Sequence, residues 1–541
     1  MSPSNSLKTH LDQILKLVIP RKRELARLRV KWGRHADNDG WSASRYFDLT
    51  RDRATSPHVD DKTWEDLEFP KLFSDIDSTE TEVGGQVLYR KLREYVGEQS
   101  ELRKHYSAYR TLRSDASLRE GIQLRLAPLC ANSCADIADF VFGQPPERPK
   151  YQNYIRAWSL FSIATLVGVF AAVVPVAFWL GVVATNLVFI LRGRSSQSRD
   201  METIKNCYKL LRVADSLASI PQATETIPQF ESLANEASRR VTAKKAIQMS
   251  YIQGGELVES LYLWLNIAFL FQLVAYFRTI ERFVGVRSEL ASTFELVGSL
   301  DADVAISSYL ELFPDHCQPE IVDGQLIDID NGYHPLIDKP VKNSIRLAER
   351  SALITGSNMA GKTTFIKMVG INVILGRTIG VCFARRATIP TSSVMGSIRG
   401  EQSVESGKSN YFTQIEAIHS FIESAKQGAC TVFVIDELFS GTNTVERLAA
   451  SRAVLESICR YAQVLVTTHD IELQSVLAES YDLFHFQEDP DVEGYFDYQL
   501  RQGPTATRNA IRLLKRLGFP EDVVTSAMGY ASEQFGDSEI E

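Results

Sequence analysis

The sequence predicts an α/β domain at its C-terminal end, preceded by a mainly α-helical domain into which a transmembrane hairpin is inserted. Three observations carry this reading. From about residue 318, short β-rich runs such as SALITG, CTVFVIDE and QVLVTTHD alternate with helical segments, which is the pattern of an α/β layer. Residues 85–150 and 200–257 are instead rich in Leu, Ala, Glu, Arg and Lys at helical spacing, with few strand signals. Between these two, residues 157–191 run without a single charge. The expected division is a basic N-terminal segment over 1–70, a helical domain over 71–317 and an α/β domain over 318–541.

A chain of 541 residues has room for two or three packed domains. Charged residues make up 23% and the net charge is −8, so no global basic field draws the protein to nucleic acid, and any such contact must come from a local patch. Among the seven cysteines only Cys130 and Cys134 lie close together, and no second pair or histidine pair accompanies them, so they read as reduced thiols. The first residues lack the apolar stretch of a secretory signal, which gives the expectation of a cytoplasmic N-terminus.

Arg21, Lys22, Arg23, Arg27, Arg29, Lys31 and Arg34 face only Glu24 in a helix-compatible stretch after Pro20. This segment suits DNA phosphates, anionic lipid headgroups or a solvated helix face. The apolar run at 157–191 would extend roughly 52 Å as one helix, against a hydrocarbon core of about 30 Å, so it is expected to fold back near Val174 and Pro175. Arg156 precedes it, and Arg192, Arg194 and Arg199 follow it, which puts both ends on the cytoplasmic side. A second apolar stretch, 260–277, contains Asn266 and Gln272 and is expected either inside the core or lying against the bilayer.

The chemistry concentrates in three short stretches. TGSNMAGKTTFIK supplies Gly356, Ser357, Asn358, Met359, Ala360, Gly361, Lys362 and Thr363, with Thr364 next, between a strand-like run and a helix. Phosphates need glycines there so that backbone N–H groups can turn inward, and a helix N-terminus adds favourable potential. Lys362 is expected at the β and γ phosphates of ATP, and the Thr363 hydroxyl on Mg²⁺. CTVFVIDE ends an apolar strand in two acids: Asp436 is placed for Mg²⁺ and Glu437 for a general base. VLVTTHD brings His469 to the end of the following strand, placed to sense the γ-phosphate.

With SGKSNYF, VIDELFSGTN and TTHDIEL added to the phosphate loop, the chain resembles the MutS mismatch-repair family. The resemblance covers roughly residues 71–150 and 280–530. It implies an ABC-type P-loop ATPase that works as a dimer, preceded by a helical core and lever. It further implies that Tyr333, His334 and Pro335 of NGYHPLID lie near the adenine and Asn343 near the nucleotide. Asn358 would meet the γ-phosphate, and Ser409 would reach the nucleotide of the partner subunit. Two departures stand out: Phe439 and Ser440 occupy positions where the family shows Gly-Arg, and residues 1–70 leave no room for the family's mismatch-reading domain.

The resulting expectation is a homodimeric ATPase with ATP and Mg²⁺ as cofactors, bound to DNA through its helical arms and tethered to a membrane through 157–191. Two other readings keep the fold: a membrane-bound ATP-driven scaffold with a protein partner and no DNA, and an ABC transporter subunit. The second is disfavoured by the few apolar spans and by SGKSNYF, which differs from a transporter signature.

Overall fold

The computed structural model describes residues 22–36, 43–53, 56–129, 135–144, 152–220, 227–248, 256–357, 359–398, 410–426, 431–439, 443–488, 496–504 and 518–535. They divide into two compact units. One draws on Met1–Ala54, Asp75–Arg90 and Ser107–Leu312, the other on Thr55–Ser74, Lys91–Tyr106 and Phe313–Glu541.

Among its described residues the first unit is helical. Helix Arg287–Leu310 buries Leu290, Phe294, Val297, Leu300 and Val304. These join Ile204, Cys207, Leu211 and Ala214 of helix Val176–Ala218, and Phe230 and Leu233 of helix Pro228–Asn235, in one apolar cluster. Within that core, Asp301 accepts hydrogen bonds from the Glu80 and Thr81 amides (3.0 and 2.9 Å) and from the Thr81 hydroxyl (2.7 Å). It thereby satisfies N–H groups at the start of helix Glu82–Arg93, a capping role supplied from a distant helix. Burial pushes the Asp301 carboxyl up to about 7.

Much of the basic N-terminal stretch is engaged within this unit. Arg27 pairs with Glu24 and Glu80, Lys31 lies 3.2 Å from Glu80, and Arg29 lies 2.7 Å from Glu120. Arg119 stacks 4.0 Å above the Trp32 ring. The carboxylates of Glu24, Glu80 and Glu120 therefore take up charges that a phosphate backbone would otherwise meet.

The apolar run folds as two helices, Gln152–Phe170 and Val176–Ala218, joined by residues 171–175 with Pro175 capping the second. The stretch at 260–277 is not one helix. Leu270 adopts a left-handed conformation (φ 52°) and separates helix Glu256–Phe269 from helix Phe271–Phe283, with a bend of 88°. Asn266 and Gln272 build that break: the Asn266 oxygen accepts from the Gln272 amide (3.0 Å), and its side-chain nitrogen donates to the Gln272 side-chain oxygen (3.1 Å). Among the described residues no single helix is long and apolar enough to cross a membrane, which corrects the expectation of a transmembrane hairpin. The first arm opens on Gln152, Asn153 and Arg156. The apolar part of the second, Val176–Leu191, reaches only about 24 Å at 1.5 Å per residue, short of a hydrocarbon core of ~30 Å.

The second unit contains two sheets. The larger has the order Phe496–Gln502, Tyr481–Glu488, Ser351–Thr355, Gln463–Thr468, Thr431–Asp436, Ser393–Ser397, parallel except for the first pair. Ser351–Thr355 and Gln463–Thr468 are buried at every position, as expected of central parallel strands covered on both faces. The smaller sheet has the order Glu320–Val322, Arg386–Pro390, Ile327–Gly332, Asn343–Leu347.

The outer edge of the larger sheet is closed by side chains. Alternate N–H groups along the last strand and just past its end, those of Val394, Gly396 and Ile398, donate to the Tyr95 hydroxyl (3.0 Å), the Thr63 hydroxyl (2.8 Å) and the Asp66 carboxylate (2.9 Å). An unpaired strand edge would otherwise offer these donors to another chain.

Candidate nucleotide-binding site

Three adjacent parallel strands end at the same rim of the larger sheet and carry the site there. Ser351–Thr355 runs into the glycine loop, Gln463–Thr468 into His469, and Thr431–Asp436 ends at Asp436 itself. Ligands of open α/β sheets collect at such carboxyl ends of strands. The sequence separates the three stretches by up to about a hundred residues, and the strand order reunites them.

The loop requires its two glycines. Gly356 has φ 142°, and a Cβ there would stand 2.8 Å from the Phe486 carbonyl oxygen. Gly361 has φ 97° and precedes helix Lys362–Thr378, with a Cβ 3.2 Å from the Tyr498 ring. Ala360 is buried, Met359 is exposed, and Thr364 faces solvent at the rim of the cavity. The Ser357 hydroxyl is buried with no hydrogen-bond partner among the described residues, which suits a loop built to receive acceptor oxygens. Asn358 and Ser409 lie outside the described residues, as does Ser440.

Lys362 folds back on its own loop. Its ammonium donates to the Gly356 and Ser357 carbonyls, both at 2.8 Å, and lies 3.4 Å from His469 Nδ1. Burial pulls it down to about 8, although Glu437 and Asp436 act in the opposite sense. The Thr363 hydroxyl donates to Asp436 Oδ2 at 2.9 Å, and the Thr467 hydroxyl donates to Asp436 Oδ1. One hydroxyl and one carboxylate in contact, with open space beside them, fit Mg²⁺, which keeps several waters and takes phosphate oxygens alongside one or two protein ligands.

Glu437 stands in the left-handed region (φ 50°), as does Phe439 (φ 56°). Non-glycine residues there carry strain, and such positions collect at functional sites. The Glu437 carboxylate pairs with His469 Nε2, while His469 Nδ1 lies 3.0 Å from the Gly356 carbonyl. The histidine thus links the general-base candidate to the phosphate loop.

Two groups that sequence reasoning missed hold this arrangement. Gln414, on helix Asn410–Lys426, bonds the backbone on both sides of Leu438. Its position, two residues beyond SGKSNYF, was the only signal in the sequence. Arg447 makes a two-pronged pair with Asp470 (2.7 and 2.9 Å), the residue after His469. The helix bearing Arg447 starts at Asn443, whose side chain caps the Glu446 amide at 2.9 Å.

Beside the loop opens a cavity of about 470 Å³, within the range of small-molecule sites, lined in part by His334, Pro340, Val341, Asn343, Phe486 and Tyr498. Burial holds His334 down at about 4, so its ring is neutral, and Nδ1 accepts from the Leu336 amide at 3.3 Å. Asn343 donates to the Tyr498 carbonyl (3.0 Å) and accepts from the Leu500 amide (2.8 Å). Tyr333 is not among the lining residues. Its ring packs against Phe313 and Phe383, and its hydroxyl donates to the Asp315 carbonyl at 2.9 Å.

A family model described as MutS domain V matches residues 352–534, from the strand before the phosphate loop to the last described helix. Over 266 residues the chain is 28% identical to the DNA mismatch repair protein MutS of Natronomonas pharaonis, covering 46% of this chain and 31% of that protein. It is 30% identical over 240 residues to the Endonuclease MutS2 of Clostridium botulinum, covering 43% and 30%. With the DNA mismatch repair protein MutS of Aquifex pyrophilus it shares 26% over 269 residues, covering 48% and 31%. The chain therefore spans less than a third of the length of these relatives, and the likeness is anchored in the domain that carries the site. Residues 352–534 therefore form a MutS-type domain V, and the likeness to MutS and MutS2 proteins is shown for that part of the chain.

Proposed function

We propose that this chain binds and hydrolyses ATP with Mg²⁺, works as a homodimer through its C-terminal domain, acts on DNA through its helical domain, and is fastened to the cytoplasmic face of a membrane. The observation that carries the catalytic part is the convergence of Lys362, Thr363, Asp436, Glu437 and His469 on one rim of the larger sheet. An incoming triphosphate gives the Lys362 ammonium a better partner than the Gly356 and Ser357 carbonyls. Charge-assisted bonds to phosphate are roughly twice as strong as neutral ones. Mg²⁺ held by Thr363 and Asp436 would neutralise phosphate charge. Glu437 is the base that orients and deprotonates the attacking water, and His469 holds its carboxylate beside the loop. The relatives named for DNA mismatch repair support the DNA part.

A second reading without DNA is favoured by the net charge of −8 and by the ion pairs that engage Arg27, Arg29 and Lys31. Two measurements test the proposal. Lys362→Ala should lose ATP binding, and unchanged binding would overturn the site assignment. Duplex DNA should bind with an affinity that falls steeply as salt rises, because phosphate contacts release counterions; no binding at low salt selects the second reading.

A further inference from the structure

The polarity of the helical hairpin is inverted. On helix Gln152–Phe170 the buried positions are Ile155, Ser159, Ser162 and Thr165, mostly hydroxyl-bearing residues. The exposed positions include Leu160, Phe161, Ile163, Val167 and Phe170, the last 84% exposed. The returning arm buries Asn186 completely while leaving Phe178, Leu180, Leu187, Val188 and Phe189 outside. Helix Glu256–Phe269 continues the pattern: Leu263, Trp264 and Leu265 are consecutive and all exposed, so more than one helical face is apolar, while Asn266 is buried. A water-soluble helix does the reverse.

Inside, the polar groups form a connected network. Asn186 accepts from the Trp158 indole N–H at 2.8 Å and donates to the Ala268 and Ile267 carbonyls at 2.8 and 3.2 Å. The Ser159 hydroxyl donates to the Phe269 carbonyl at 2.6 Å. These three consecutive carbonyls close helix Glu256–Phe269 just before the Leu270 break, where the helix itself supplies no partners. In water such carbonyls are satisfied by solvent at little cost. Satisfying them with side chains from two other helices, under an apolar exterior, is what a hydrocarbon surround demands. Contiguous apolar surface of this extent is also unusual on a protein that faces water.

We propose that the arms Gln152–Phe170 and Val176–Leu191, together with helix Glu256–Phe269, form one element that sinks into the near leaflet of a bilayer without crossing it, with lipid hydrocarbon covering its exposed face. This deepens the membrane fastening proposed above and rests on it. The second arm's apolar length of about 24 Å falls short of the ~30 Å hydrocarbon core, and residence in one leaflet requires the arms to lie strongly tilted. Charge favours lipid over a second copy of the chain: the sequence after the apolar arm carries Arg192, Arg194 and Arg199, and Arg278 and Arg282 lie exposed on the helix after the break, a basic set that suits anionic headgroups. Helix Glu256–Phe269 belongs to the inserted element because Asn186 and Ser159 bind its last carbonyls to the hairpin.

The test is flotation of the full-length chain with vesicles of phosphatidylcholine and phosphatidylglycerol. The chain should float with them, and Val167→Glu and Leu263→Glu should each lower the bound fraction at least tenfold while leaving the helical circular-dichroism signal and its thermal transition intact, which checks that the helical unit folds. Loss of flotation with Val167→Glu alone would remove helix Glu256–Phe269 from the element. Depth is read from Val173→Cys at the hairpin turn, with labelling of that site followed by peptide mass spectrometry. The introduced thiol should resist a membrane-impermeant maleimide on either side of sealed vesicles and react once detergent is added. Labelling only from the lumen means a crossing, which overturns the single-leaflet insertion but leaves the fastening. Labelling from outside overturns the insertion. Absence of flotation, with apolar self-association instead, overturns both.

Discussion

Gln414 grips the backbone that carries Glu437: its side-chain nitrogen donates to the Glu437 carbonyl, and its oxygen accepts from the Phe439 amide at 2.8 Å. Both residues that it brackets have positive φ, and each such non-glycine conformation costs about 1–3 kcal/mol. The strain is held by a side chain from another helix, which makes Gln414 a positioning residue for the base. Gln414→Ala should therefore lower kcat by about tenfold or more, equivalent to ~1.4 kcal/mol of barrier, and leave ATP affinity nearly unchanged. Steady-state hydrolysis compared with equilibrium nucleotide binding separates the two effects. An equal loss in both would mean that Gln414 supports the pocket rather than the base.

At the proposed site, Lys362 would make ATP binding pH-dependent in a range where lysines ordinarily do not titrate. Its folded value of about 8 lies below the ordinary 10.5 because burial disfavours the ammonium. The penalty for holding it charged is fully present below pH 8 and is relieved as pH rises from 8 toward 10.5, so the empty domain gains stability over that window. Phosphate recognition needs the protonated form and moves in the opposite direction. ATP affinity should be flat between pH 6 and 7.5 and weaken above about 8, with close to one proton taken up per ATP bound near pH 9. Calorimetry in buffers of different ionisation enthalpy measures that proton. A flat affinity up to pH 9.5 would remove Lys362 from direct phosphate contact.

The phosphate loop, the paired acids and His469 were legible because each is a local signature: a few neighbouring residues specify a turn, a strand end and a charge. Gln414, and the Arg447–Asp470 pair, were not, because their relation to the site is created by strand order and not by spacing. Sequence periodicity reports what lies within a helical turn or an alternate strand position. It says nothing of contacts such as Tyr95 with Val394, which close the sheet edge across about three hundred positions of chain. The apolar run was visible as composition, yet the burial of Ser159, Ser162 and Thr165 on one stripe emerged only when the helices were placed together. Asn266 and Gln272 were visible as polar interruptions, and the Leu270 break is what they build.

Asp301 gives the helical unit its own pH response. Its folded value of about 7 lies above the ordinary 3.8, because burial outweighs the three donors that favour the carboxylate and Glu80 adds repulsion. A carboxyl shifted upward costs nothing below about pH 4, and its penalty grows until pH 7, so stability of this unit should decline as pH rises across that interval. The slope for one proton is at most about 1.4 kcal/mol per pH unit. Hydrogen exchange of helix Glu82–Arg93, whose start Asp301 caps, should accelerate over pH 5–7 beyond the intrinsic chemical rate. Asp301→Asn should flatten that dependence while raising exchange at every pH, since its amide NH₂ would face either the Glu80 or the Thr81 donors, which now bond separate carboxylate oxygens. An unchanged pH profile in the variant would place the titration elsewhere.

The pairing of Glu437 with His469 separates two roles that a single loss of activity would merge. Glu437→Gln keeps the size and the hydrogen-bonding shape of the side chain but removes the base, and it leaves Lys362, Thr363 and Asp436 untouched. ATP should still bind, hydrolysis should fall by about 10²–10⁴-fold, as expected for loss of general-base catalysis, and a closed dimer should persist in the presence of ATP. His469→Ala instead frees the Glu437 carboxylate and removes the ring that lies 3.0 Å from the Gly356 carbonyl, so it should cost turnover through orientation and loosen the loop. Single-turnover hydrolysis together with sedimentation in ATP distinguishes them: the glutamine variant accumulates ATP-bound dimer, whereas the alanine variant turns over slowly without trapping it. Undiminished turnover in Glu437→Gln would take the base away from Glu437.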